Sequence, residues 1–109
     1  MTVELTRDSY EVEVNGSDIP VLVDFWGPRC GPCLTLMKPV EELEREYEGK
    51  LKIAKLNAAE NRMLCAKLRV MSLPTFLLYK KGIEVKRLTG ESITIQEIKT
   101  AVDAVLAEP

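Results

Sequence analysis

Residues 21–33 read Val-Leu-Val-Asp-Phe-Trp-Gly-Pro-Arg-Cys-Gly-Pro-Cys, an apolar run followed by two cysteines with two residues between them. A short β-branched and aromatic run that ends at Gly27-Pro28 is typical of a buried strand. After the second cysteine, apolar residues recur every three or four positions from Leu34 to Tyr47, which predicts an amphipathic helix. We therefore expect a strand, a turn carrying Cys30 and Cys33, and a helix. Pro39 lies within that helix and should kink it.

The rest of the chain extends this unit in both directions. Apolar patterning predicts an alternating, half-exposed strand at 51–56, an apolar strand at 75–79, and a strand at 83–88 joined to it by a tight Gly82 turn. Helical spacing predicts helices at 61–68 and 94–106, while Tyr10–Val14 fits a strand or a helix. A βαβ start followed by an antiparallel hairpin implies a mixed sheet with helices on both faces.

Length and composition narrow the class of protein. The 109 residues fit one domain, 1–109, and 46% hydrophobic content is ordinary for a globular chain. A net charge of −2 gives no basic excess for nucleic acid, and no apolar run approaches the roughly 18 residues of a membrane span. The sequence contains no His, which removes His-based catalysis and His metal sites. The N-terminus has no signal-peptide pattern, so we expect a cytoplasmic protein.

The cysteines carry the chemistry of this sequence. There are three, Cys30, Cys33 and Cys65, so they cannot all pair within one chain, and in a reducing cytosol disulfides are transient and catalytic. At a helix N-terminus the free N–H groups and the helix dipole favour an anion, here the Cys30 thiolate. Two intervening residues put the second sulfur one turn on, close enough to close a small ring.

The residues between the cysteines also suit a reactive turn. Pro32 fits the first helical turn, where its missing N–H would be unpaired, and Gly31 leaves room for a partner backbone. Two other interpretations of the pair stay open at this point. The cysteines could be half of a zinc site, which would need ligands beyond Cys65, or two unrelated core residues.

The motif in its context resembles the thioredoxin family. The similarity continues through Lys55-Leu56-Asn57, Leu73-Pro74-Thr75, Lys81-Gly82 and Gly90, and covers the chain from about residue 5 to residue 106. It implies an α/β thioredoxin fold with a central five-stranded mixed sheet flanked by four helices, in the order βαβαβαββα. It also implies the strand order first, third, second, fourth, fifth, and makes Tyr10–Val14 the first helix.

The resemblance implies roles for the catalytic group. Cys30 matches the attacking cysteine, and Cys33 the more buried resolving cysteine. Asp24 matches a buried acid with a raised pKa that takes the proton from Cys33, and Lys55 matches a basic residue that moderates this shift. Two plainer interpretations remain: Asp24 as a strand-end residue bonded to backbone, and Lys55 as an ordinary exposed strand lysine.

It also implies a surface that binds substrate and partner proteins. Pro74 matches a cis-proline beside the disulfide, and the backbone at Leu73 would pair with an extended substrate segment. Trp26 matches an indole packed on the active-site loop, and Gly90 matches a glycine of the docking surface. Trp26 could equally be a core residue, and Gly90 a turn at the end of a strand.

Several positions depart from the family pattern. Arg29 stands where a second Trp is usual and Leu34 where a basic residue is usual, so a positive charge moves across the motif. If Arg29 stabilises the Cys30 thiolate, the reduction potential of the Cys30–Cys33 pair rises by roughly 10–30 mV from the family's value of about −270 mV. The alternative is that Arg29 only affects which partner proteins bind. Arg69 replaces a common Gly, and Met71, Ser72 and Leu73 differ from the usual residues before the proline. Cys65 is expected to be a small buried apolar residue.

The function that follows is reduction of protein disulfides. Cys30 would attack, Cys33 would resolve the mixed disulfide, and a thioredoxin reductase would recharge a monomeric carrier. The two sulfurs carry the electrons, so no cofactor and no metal is expected, and the substrates are disulfide-containing target proteins. Two alternatives stay open: an oxidase or isomerase running the same chemistry in reverse, and a scaffold subunit that uses the fold without redox turnover.

Overall fold

Strands and helices alternate along residues 2–109, the part of the chain that the computed structural model describes. A short 3-10 helix, Ala58–Glu60, precedes the third helix. In chain order the other elements are β1 (Val3–Leu5), α1 (Tyr10–Asn15), β2 (Val21–Trp26), α2 (Gly31–Glu46), β3 (Lys52–Asn57), α3 (Arg62–Lys67), β4 (Thr75–Lys80), β5 (Ile83–Thr89) and α4 (Ile95–Ala107).

The strands form a single mixed sheet in the order β1-β3-β2-β4-β5. β3 runs parallel to β1 on one side and to β2 on the other. β4 is antiparallel to β2, and β5 is antiparallel to β4. The predicted α/β class, element order and strand order are confirmed. In the parallel half of the sheet, β1, β3 and β2 all have their carboxyl ends at the same end of the sheet. A helix can begin after β2 at this end.

Helices cover both faces of the sheet, and each face has its own core. On one face α2 and α4 pack against alternate residues of the strands, among them Leu22, Ile53 and Phe76. On the other face α1 and α3 pack against the intervening residues, such as Val23 and Phe25. β2 is therefore buried along Val21–Phe25, as its continuous apolar sequence predicts.

The segment with two possible readings is helix α1. Tyr10 and Val14, four residues apart, lie on one helical face and are both buried. The Tyr10 hydroxyl is hydrogen-bonded to the hydroxyl of Tyr79 on β4, beneath the helix. Burial raises the pKa of Tyr10, so the phenol stays neutral. This contact with the sheet settles the choice that the local pattern left open.

One expectation differs from the structure. β3 is more buried than its alternating sequence predicts, because it lies between β1 and β2 with helices on both faces; Ile53, Ala54 and Leu56 are buried. α2 begins at Gly31, so that Pro32 lies in its first turn as expected, and it continues as one helix through Pro39. The first turn has no apolar periodicity because it belongs to the cysteine motif.

Arg87 on β5 ties the end of α3 to the edge of the sheet. Its guanidinium donates to the carbonyl oxygens of Leu68 (2.9 Å) and Arg69 (2.8 Å) and to both carboxylate oxygens of Glu84 (2.9 and 2.8 Å). Arg69 has a positive φ of 59°, so the chain turns sharply there. Arg87 thus holds the start of the segment that leads to Pro74.

Replacing Arg87 with Gln should lower the free energy of unfolding by about 1–2 kcal/mol, because charge-assisted hydrogen bonds to two carbonyl groups are lost. Urea unfolding followed by circular dichroism measures this change. Lys86→Gln, at the exposed neighbouring position on the same strand, is the matched control and should change stability by less than about 0.5 kcal/mol. Equal effects of the two substitutions would contradict this role for Arg87.

Candidate active site

The two cysteines of the motif are joined by a disulfide at the N-terminus of α2. Cys30 is the N-cap residue, and the backbone N–H of Cys33 donates to its Sγ at 3.2 Å. Cys33 is buried, with 1% of its surface exposed, whereas Cys30 is half-buried. One sulfur is therefore open to another molecule, and the other lies behind it.

The bonded sulfurs also bear on the metal interpretation. Each sulfur is engaged by the other, and Cys65 is free. Within residues 2–109, no group of three His, Cys, Asp or Glu side chains is arranged to hold a metal ion. The structure therefore shows Cys30 and Cys33 as a disulfide, with Cys65 outside it.

Asp24 lies in the middle of the sheet, on β2, with 3% of its surface exposed. Among the described residues, none donates a hydrogen bond to its Oδ1. Burial raises the pKa of Asp24 to about 7; the charge of Lys55 lowers it and that of Glu4 raises it. Asp24 is thus a strand-interior acid, and not a strand-end residue, that titrates near neutral pH.

Lys55 stands beside Asp24 in the next strand. The two residues are paired in the register of β2 and β3, and Glu4 is paired with Lys55 on the far side. The Lys55 Nζ lies 5.9 Å from the centre of the Trp26 ring, within the range of a cation–π contact. Lys55 therefore links the buried acid to the indole, and is not a generic surface lysine.

The loop before β4 meets the loop before Cys30. The Leu73–Pro74 peptide bond is cis, and Pro74 is buried. A Cβ added to Gly27 would lie 3.0 Å from Cδ1 of Leu73, so the glycine allows the two loops to approach closely. This role of Gly27 was not predicted from the sequence, where its signal is a lone glycine between the strand and the cysteine motif.

Gly90 and Gly31 leave open space at the site. The N–H of Gly90 donates to the carbonyl oxygen of Pro74 at 3.1 Å, and its φ of +119° strongly favours glycine. A Cβ at Gly90 or at Gly31 would meet no other atom within 4 Å. Gly90 is thus both a turn residue and part of an uncovered surface next to Pro74.

A groove of about 880 Å³ opens beside Cys30, between the active-site loop and α3. Its lining includes Arg29, as well as Arg62 and Cys65, which come from α3. Cys65 is buried, and its burial raises the pKa of its thiol, as expected for a small buried residue. Arg62 was not singled out from the sequence, because no motif connects it to the cysteines.

Fold and site together define a class of protein. A Cys-x-x-Cys disulfide caps a helix that follows the central strand β2, β2 itself carries a buried acid, and the loop before β4 contains a cis-proline; this combination is that of a thiol–disulfide oxidoreductase. No helix within residues 2–109 is long and apolar enough to cross a membrane.

Comparison with known proteins gives the family. The model of the Thioredoxin family matches residues 1–104. Among similar proteins, "Thioredoxin 1" of Nostoc sp. is 40% identical over 87 residues, which cover 80% of this chain and 81% of the relative. A thioredoxin of Synechocystis sp. is 39% identical over 82% and 83% of the two chains. A thioredoxin of Acetoanaerobium sticklandii is 37% identical over 91% and 94%. The chain belongs to the thioredoxin family.

The buried carboxyl predicts a characteristic pH dependence of stability. Below its ordinary pKa of 3.8, Asp24 is protonated in the folded and unfolded states alike; between 3.8 and about 7 it ionises mainly in the unfolded chain, so stability falls across this range and levels off above it. A difference of about three pKa units corresponds to at most about 4 kcal/mol. The wild type should therefore lose stability relative to Asp24→Asn by up to this amount between pH 4 and pH 8.

Chemical unfolding of the oxidised protein at a series of pH values measures this difference. Asp18→Asn, the same substitution at an exposed position before β2, is the matched control and should follow the wild type throughout. A stability difference between wild type and Asp24→Asn that does not change with pH would mean that Asp24 does not titrate between these values.

Proposed function

We propose that this thiol–disulfide oxidoreductase works as a protein-disulfide reductase, giving two electrons to a target disulfide and being left with the Cys30–Cys33 bond. The observation that carries this proposal is the disulfide at the N-terminus of α2, with one half-exposed and one buried sulfur. Such asymmetry suits a reaction in which one sulfur meets the target and the other acts only afterwards.

In the first step the Cys30 thiolate attacks one sulfur of the target disulfide. A bond forms between the Cys30 Sγ and that sulfur, and the second target sulfur leaves as a thiolate and takes up a proton. The N-terminus of α2 stabilises the attacking thiolate through its dipole and its N–H groups, of which that of Cys33 lies 3.2 Å from the Cys30 Sγ. The position of Cys30 therefore favours the anionic form that attacks.

In the second step Cys33 attacks the Cys30 Sγ, and the target's remaining sulfur leaves as a thiolate. Cys33 must first lose its proton, although it is buried. Asp24, whose pKa is raised to about 7 by burial, takes this proton directly or through water. The positive charge of Lys55 limits how far burial raises this pKa. The acid thus acts on the step that releases the reduced target.

The target is held by the surface around the disulfide. Its extended segment would pair with the backbone at Leu73, next to Pro74, and approach across Gly31-Pro32 and Gly90. The open space at both glycines supports this placement, since no side chain stands in the way. Trp26 would support the loop from beneath through its contact with Lys55.

The oxidised protein is then returned to the dithiol form by a thioredoxin reductase, which supplies two electrons and two protons. The two sulfurs are the redox group, and the chemistry calls for no further cofactor. We propose that the carrier works as a monomer in the cytoplasm, where the thiol pool favours reduction.

A trapping experiment separates the roles of the two sulfurs. Pre-reduced and then freed of reductant, Cys33→Ser should accumulate a covalent complex with insulin, because the resolving attack is lost. The matched variant Cys30→Ser should form none, and in a separate assay with dithiothreitol its rate of insulin reduction should fall to that of dithiothreitol alone. Mass spectrometry of alkylated samples detects the complex. A complex formed by Cys30→Ser but not by Cys33→Ser would reverse the assignment.

A further inference from the structure

The groove beside Cys30 is positively charged on its walls. Arg29, directly before the nucleophile, and Arg62, in the first turn of α3, both line it. No Asp or Glu among the described residues does so, and the rest of the lining is largely apolar, including Ala59, Val70 and Met71. The groove therefore joins two guanidinium groups to an apolar wall that also reaches Cys30.

Both arginines are free to bind a ligand. In the described part of the chain neither Arg29 nor Arg62 forms an ion pair, although Arg87 and other cations do. The Arg62 Nε makes only a long 3.4 Å hydrogen bond to the carbonyl oxygen of Ala59, and Arg29 makes none. The whole chain carries a net charge of −2, so two unpaired cations in one groove are a local feature.

We propose that this groove selects acidic substrates: it binds a segment of the target protein that carries Asp or Glu beside the cysteine being reduced. This inference rests on the proposed reductase function and adds a substrate class to it. Guanidinium groups bind carboxylates through paired N–H donors, and the apolar lining contacts the segment's backbone and aliphatic carbons. Because Arg29 adjoins Cys30, an acid close to the target cysteine meets Arg29, and one further along meets Arg62.

The expected effect is modest for each pair because both arginines are exposed. An exposed ion pair changes a rate or an affinity by about two- to five-fold, so both together give about ten-fold. Screening should weaken the preference at high ionic strength, where the Debye length falls to about 3 Å at 1 M salt. The inference therefore predicts two observations together: a preference for acidic substrates at low salt, and the loss of this preference at high salt.

The test uses three synthetic peptides that differ only at the residues beside a single cysteine, with Glu, Gln or Lys there. Each is prepared as the disulfide-linked dimer and mixed with an excess of the pre-reduced protein, so that no reductase is needed. One protein dithiol becomes the Cys30–Cys33 disulfide while the dimer becomes two peptide thiols, which are counted by chromatography after acid quenching. Each rate is divided by the rate with dithiothreitol, which corrects for the intrinsic reactivity of the peptide disulfide.

The readout is the ratio of the corrected rates for the Glu and Lys peptides. Any influence of Arg29 on the Cys30 thiolate changes both rates equally and cancels from this ratio. We expect a ratio of about ten or more at low salt, a value near one at 1 M salt, and inversion of the preference in the double variant Arg29→Glu, Arg62→Glu. The matched control Arg45→Glu, an exposed arginine on α2 outside the groove, should keep the wild-type ratio.

The outcomes separate this inference from the function on which it rests. Equal corrected rates for all three peptides would overturn the inference and leave the reductase function standing. Failure to reduce even the Gln peptide would overturn the reductase function and the inference together. A preference for Glu that survives in the double variant would show that the acidic selectivity lies elsewhere, and would overturn the assignment to this groove.

Discussion

The contact between the N–H of Cys33 and the Sγ of Cys30, 3.2 Å apart at the first turn of α2, is the interaction on which the rest of the site depends. It exists because β2, buried on both faces, ends at Trp26, and a short loop leads from there to the start of α2 at Gly31, so the helix N-terminus is held close to the sheet. The sulfur that caps this helix sits where an anion is favoured. Half-exposure of Cys30 and burial of Cys33 follow from the direction in which the helix then runs.

The same arrangement makes the fold less stable at neutral pH than it would be without its buried acid. Asp24 lies on β2 without a hydrogen-bond donor to Oδ1 among the described residues, and ionising it there is unfavourable. A carboxyl that ionises reluctantly near pH 7 is suited to exchanging a proton with a buried thiol. Lys55, in the adjacent strand, carries a positive charge that lowers the free-energy cost of ionising Asp24. In the proposed mechanism, stability and reactivity are therefore coupled through Asp24.

Much of this structure follows from local sequence. The strand–cysteine–helix unit and the β4–β5 hairpin could be predicted because the apolar periodicity and the turn residues indicate the same element boundaries. At the hairpin turn, Lys81 and Gly82 both have a positive φ. The helical state of Tyr10–Val14 was decided by the family resemblance, since its local pattern fits both structures. The burial of β3 escaped prediction because it depends on its neighbours in the sheet.

Parts of the site depend on contacts between distant segments and could not be read from the pattern. The cis bond before Pro74 was expected from the resemblance alone, because trans is the general rule. The close approach of Gly27 to Leu73 joins residues 46 positions apart, and the groove joins Arg29 to Arg62 across 33 positions. Arg29 and Met71, which both depart from the family pattern, line this same groove. Their proximity is visible only in the folded structure, because they are far apart in the sequence.

The central claim is that Cys30 and Cys33 form a reducing dithiol, and the reduction potential of the pair tests it most directly. Equilibration with a thiol–disulfide buffer, followed by alkylation and mass spectrometry, gives this value. A family-typical couple near −270 mV, either unchanged or raised by up to roughly 30 mV through Arg29, predicts a reduction potential between about −270 and −240 mV. A potential above about −200 mV would contradict the account, because the oxidised form would then be the reactive one and the protein would act as an oxidase or isomerase.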